Sequence, residues 1–168
     1  MAGFEYHSYL ANVVQALKDY NTTTSSADLS ANLSVRVSND YIKGMFPKIE
    51  QVRDDNMPAI FVSINTKDEE YAGLGATGAS GTKKMATVNY DIYAFVGKQA
   101  GWDAHSTTTQ DMHYLARNIE SVFQAEYKLS NTAMYCNPMK TEFSNPLNIN
   151  QNQAMVVYIQ LQAKYLFR

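Results

Sequence analysis

A single cysteine in 168 residues excludes an internal disulfide, so the fold must stand on its core alone. Charge is also scarce. Asp, Glu, Lys and Arg make up 18% of the chain, against about 25% in an average domain, and Asn, Gln, Ser and Thr fill the difference. Uncharged polar groups lose water at lower cost than charged ones, which suits a surface that meets other proteins. There is no long basic run. Lys83-Lys84 and scattered arginines with a net charge of −2 are not the footprint of a nucleic-acid binder. Apolar runs last only a handful of residues, far short of the roughly 20 that span a bilayer. The opening Met-Ala-Gly-Phe-Glu-Tyr-His has neither a basic nor an apolar export segment, so no signal peptide is expected.

Glycine is sparse and unevenly placed. Four of the eight glycines, Gly73, Gly75, Gly78 and Gly81, fall within Tyr71–Thr82. Gly73-x-Gly75-x-x-Gly78 has the spacing of a dinucleotide fingerprint. Such a site needs the glycines to open a helix whose free amides hold a pyrophosphate. Here Ala-Ser-Gly-Thr-Lys-Lys follows, and then a strand-like run. There is no Gly-Lys-Ser/Thr ending of a phosphate loop either. The segment 71–84 therefore reads as a glycine-rich hairpin tip between Met57–Thr66 and Ala86–Val96, able to order on a partner through Lys83 and Lys84.

Periodicity supplies the rest of the chain. Tyr6, Leu10, Val13, Val14 and Leu17 recur at helical spacing and predict a helix over 5–20. Residues 21–34 collapse into turn-forming Thr, Ser, Asn and Asp, a polar connection expected to be the most linker-like part. Leu33, Val35 and Val37 alternate with polar residues and predict a half-buried strand. Met57-Pro58 opens the next strand and Val88–Val96 alternates in another. A second helix is expected over 110–126, with Thr108 and Asp111 at capping-box spacing and Met112, Leu115, Ala116, Ile119, Val122 and Phe123 as its apolar stripe. Residues 132–167 read as a closing hairpin, broken at Asn145-Pro146. Its last strand is apolar at every odd position from Met155 to Phe167. One domain over 1–168 follows, of the α+β class: a mainly antiparallel sheet of about five strands with two helices packed on one face, in the order α-β-β-β-α-β-β.

No constellation of catalytic or metal-ligating residues stands out. His113 shares a helix face with Arg117 and Glu120, opposite the apolar stripe, and His105 with Asp103 precedes it without a recognised ligand spacing. Cys136 lacks a nearby base and reads as a small buried apolar residue. Asp68-Glu69-Glu70 reads as a solvated strand end. No catalytic residue, cofactor or metal is expected. Tyr71, Tyr93 and Trp102 are the aromatic candidates for an interface, since such side chains anchor contacts.

The run of elements carries a resemblance. A first helix is followed by Met57-Pro58-Ala59-Ile60-Phe61-Val62 after a charged connection, a long loop, and the strand Val88–Val96. The helix Asp111-Met112-His113-Tyr114-Leu115-Ala116-Arg117-Asn118-Ile119-Glu120 and a closing hairpin complete it. In this order the chain resembles the tail-terminator and tail-completion (head–tail joining) proteins of tailed bacteriophages over nearly its whole length. The resemblance implies a homohexameric ring in the virion neck that caps the tail tube, contacts the tail tube protein and the head–tail connector, and lets DNA pass only as cargo. It implies synthesis in the host cytoplasm, no membrane and no enzyme activity. Another neck or head-completion protein, and a small nucleotide-binding domain or enzyme, stand as alternatives.

Overall fold

The computed structural model describes residues 3–48, 57–71, 83–97, 102–144, 147–149 and 152–167; for 102–106, 147–149, 152 and 153 it describes the backbone path only. The elements are α1 (Tyr6–Asp19), β1 (Ile42–Lys43), β2 (Ala59–Tyr71), β3 (Lys84–Gly97), α2 (Trp102–Ala125), β4 (Tyr135–Phe143), β5 (Leu147–Ile149) and β6 (Asn152–Phe167). The strands lie side by side as β1-β2-β3-β6-β4, with β5 prolonging the outer side of β6. β1 runs parallel to β2, and every other pair is antiparallel. This is the expected α+β sheet with its two helices on one face.

The alternation in the two central strands builds the core. Ala86, Val88, Tyr90, Ile92, Ala94 and Val96 of β3 turn one way, and their register brings Tyr90 opposite Leu161 and Ile92 opposite Ile159 of β6. Onto this surface α1 lays Val13, Val14, Ala16 and Leu17, and α2 lays Leu115, Ile119, Val122 and Phe123. Each such side chain contributes roughly 1.5–3 kcal/mol by leaving water. Within the core the hydroxyls of Tyr90 and Tyr165 meet at 2.6 Å, so both fully buried phenols keep a polar partner.

The opposite face of the sheet changes character along its length. At the end where β2 begins and β3 finishes, Met57, Phe61, Phe95, Ala154 and Val156 form a second buried cluster. Towards the other end it becomes a polar ladder. Asn89 donates to Thr66 at 2.8 Å, Gln162 donates to Asn89 at 3.2 Å, and the Tyr158 hydroxyl donates to Asp91 at 2.5 Å.

Several boundaries differ from the sequence expectation. Leu33–Ser38 is not a strand: Val35 is 57% exposed, and the first paired strand is Ile42–Lys43, joined to Ile60 and Phe61. The alternation there marks an extended segment held by side chains rather than by a ladder. The polar stretch before it is tied down. The Asn21 side chain donates to the Val37 carbonyl at 2.6 Å, Ser30 joins Asn21 to the Val37 amide, and Leu29 is fully buried. α2 starts at Trp102, ahead of the expected Thr108 cap. Thr108 is a buried mid-helix residue, and Asp111 instead accepts from the Ser34 amide and hydroxyl, both at 3.1 Å. Weak intrinsic helix preference in the Ser106–Thr109 run is outweighed by packing. β4 begins at Tyr135, because Leu129, Ser130 and Asn131 form a left-handed turn with φ of 46°, 57° and 62°. β5 is an added three-residue strand in the segment expected to be a polar loop.

Candidate interaction surfaces

The glycine-rich segment joins two strands that pair to their very ends. β2 and β3 form an antiparallel hairpin whose last described pair is Tyr71 with Lys84. Asp68, Glu69 and Glu70 are not a strand end but ladder residues, opposite Thr87, Ala86 and Met85. β3 pairs antiparallel with β2, whereas the glycines of a dinucleotide site lead through a helix to a parallel strand. Gly73, Gly75, Gly78 and Gly81 themselves lie outside the described residues.

At the outer end of this hairpin the exposed side chains are tied to one another. Tyr71 is 59% exposed, with the Lys84 ammonium 5.9 Å from its ring centre. Glu69 sits between Lys67 and Lys84 and pairs with both. Its carboxyl is held below the usual range, chiefly by the hydrogen bond from Lys67. Lys67 also stands 5.1 Å from the rings of Phe4 and Tyr6, so the hairpin is braced against the start of α1. Lys83 is exposed beside Lys84. Tyr93 lies on the sheet face turned away from the helices, half-buried, its ring 5.2 Å from that of Tyr158. The Trp102 side chain lies outside what is described. Tyr71, Lys83 and Lys84 thus gather at the hairpin, whereas Tyr93 sits some nine strand residues away.

Two further exposed apolar groups are found at the edges of the sheet. Beyond β1, Phe46 is 71% exposed, with Met45 and Val35 near it in the chain. On the other edge, β4 and the turn before it expose Met139 (56%), Phe143 (49%), Tyr135, Met134 and Tyr127. The sequence reading missed both groups. Its one available signal was apolar residues in places where no periodicity asked for them, Met45-Phe46 above all.

The candidate chemical groups are placed as follows. Cys136 is buried, with its sulfur 3.8 Å from the Phe123 carbonyl and 3.7 Å from that of Glu126. Burial pushes its thiol up to about 12, so thiolate is scarce at neutral pH. His113 is exposed on α2, its ring 5.1 Å from Phe143. Among the described residues no three His, Cys, Asp or Glu side chains come together as a metal site; the side chains of Asp103 and His105 lie outside them. Among the described residues no helix is long and apolar enough to cross a membrane.

No family model and no curated relative matches the chain. Among solved structures, it is similar to a chain from the virion of a native gene transfer agent particle, with a TM-score of 0.52 and 12% identity. The match covers 98% of this chain and 100% of the other, so the two share a fold from end to end.

Proposed function

We propose that this chain is a structural protein of a phage-like virion. Within it, the chain acts as a tail terminator: a homohexameric ring that caps the tail tube and joins it to the head connector. The observation that carries this reading is the match to a chain of a gene transfer agent virion, which spans 98% of this chain and 100% of that one. The order of elements supports it, because it is also the order on which the resemblance to tail terminators rests. In this reading the protein works by shape and performs no bond-breaking. It sits in the neck of the particle, and DNA passes it as cargo.

A terminator must imitate the tube on one face and refuse another tube subunit on the other. The β2–β3 hairpin is the element proposed to meet the tube. Its arms are anchored by the full ladder and by Lys67 on the α1 aromatics, while Tyr71, Lys83 and Lys84 stand at its outer end. A rigid arm carrying a glycine-rich tip can dock late without rebuilding the sheet. Tyr93 and Trp102 are proposed as further anchors.

Mass in solution is the first test. A species of six copies of the 18.9 kDa chain, alone or after addition of the tail tube protein, supports the ring. A monomer that binds connector and ignores tube would instead assign the chain to another neck or head-completion role. Stabilisation by nucleotides in a thermal-shift screen would point to the nucleotide-binding alternative.

A further inference from the structure

We infer that neighbouring copies of this chain join edge to edge: Phe46, beyond β1 of one copy, packs on the seam between α2 and β4 of the next. The inference rests on the ring reading above and names the contact that would close it.

The first ground is position. A ring needs two different surfaces on each subunit, one to give and one to receive. β1 and β4 are the opposite ends of the sheet, four strand spacings or about 19 Å apart. Each carries exposed large apolar side chains that the monomer leaves uncovered. Phe46 is the most exposed of these and has the aromatic character of a contact anchor. The segment that presents it is held firmly, since a side chain at Gly44 would meet Val14 at 3.2 Å and Leu10 at 3.4 Å on α1.

The receiving side offers exposed apolar side chains, Met139 and Phe143, beside a polar pocket. Between α2 and β4 lies an open surface pocket of 220 Å³, lined mainly by the polar residues Glu120, Gln124, Asn137, Lys140 and Thr141. Met139 stands at its rim, and Phe143 lies further along the same strand. The pocket falls at the bulge in β4 between Pro138 and Lys140. A bulge, a proline and a lysine on an edge strand obstruct the addition of another strand. This edge therefore takes side chains rather than a backbone ladder, which suits a closed ring and not an endless sheet.

Charge agrees in sign. Ile42–Lys48 contains two lysines and no acid, and among the described residues neither Lys43 nor Lys48 makes an ion pair. Across the seam the Glu120 carboxylate accepts a hydrogen bond from Thr141 at 2.5 Å and has no cation of its own among the described residues. Lys140 is occupied by Glu142 at 2.6 Å. Lys43 and Lys48 of the giving edge are thus available to pair with Glu120 of the next copy.

Two variants test the contact: Phe46→Asp, which spoils the giving edge, and Met139→Asp, which spoils the receiving edge. Both sites are exposed, and thermal unfolding of each variant against the parent checks that the fold is unchanged. Analytical ultracentrifugation should find the parent assembled and each variant monomeric. An equimolar mixture should sediment as a dimer and no further, because one intact edge of each kind remains. If both variants assemble like the parent, the edge contact is wrong while the ring stands. If one variant fails alone and the mixture forms no dimer, the pairing of these two edges is wrong. If the parent itself stays monomeric at every concentration and with tube present, the ring and the contact fall together.

Discussion

Three polar side chains inside the core, Asn118, Tyr90 and Tyr165, set the first expectations. Asn118 is buried on α2, and its amide donates to the carbonyls of Leu29 at 3.0 Å and Ala31 at 2.7 Å. It thereby holds the polar 21–34 connection onto the helix layer. Asn118→Ala leaves both acceptors unpaired. It should cost about 2–3 kcal/mol, read by denaturant unfolding, with amide exchange quickening first around residues 21–37. The Tyr90–Tyr165 pair gives a pH expectation. Burial raises both phenols well above their usual value of 10.0, with each also affected by the other. The folded state holds these protons more tightly than the unfolded one, so the pair's contribution is complete below about pH 10 and falls as the pH rises further. Thermal unfolding from pH 8 to 11 should show a decline above pH 10 that is shallower in Tyr165→Phe. At neutral pH that variant should be about 1–2 kcal/mol less stable, because the Tyr90 hydroxyl loses its partner.

At the scale of elements, the β2–β3 hairpin is the part most able to change without loss of the fold. In β2 residues 59–63 are buried, whereas residues from Asn65 to Tyr71 are mostly exposed. Deleting residues 73–81 should leave the thermal midpoint within a few degrees of the parent while weakening tail binding at least tenfold in a pull-down titration; unaltered binding would remove the hairpin from the proposed contact. The elements also show what a sequence can and cannot tell. β3 and β6 were legible because each buries one face along its whole length, so their period of two is clean. The apolar stripe of α2 was legible for the same reason at a period near 3.6. The alternation of Leu33, Val35 and Val37 misled, because an extended segment held by Asn21 and Ser30 shows the same pattern without a strand partner. β1 was illegible at two residues, too short for any period. The acids 68–70 looked like a strand's end because three adjacent charges show no alternation, although backbone pairing with β3 runs through all of them. Of the candidate surfaces, the hairpin was visible in its glycines. The two sheet edges were not, since knowing that β1 and β4 are edges requires the strand order.

On the scale of the whole molecule, the proposed role is one of assembly. One face of the sheet is committed to the two helices, and the other is split between a buried apolar end and a polar ladder. Among the described residues, the two edges carry exposed apolar side chains and the hairpin projects an exposed end. Three outward-facing regions are what a ring subunit uses: two for its neighbours and one for the structure it caps. The most direct measurement is electron microscopy of tail tubes assembled with and without this protein. The account predicts ring-shaped density at one end of each tube and an arrest of further growth. Tubes that lengthen unchanged, with the chain left free in solution, would contradict it.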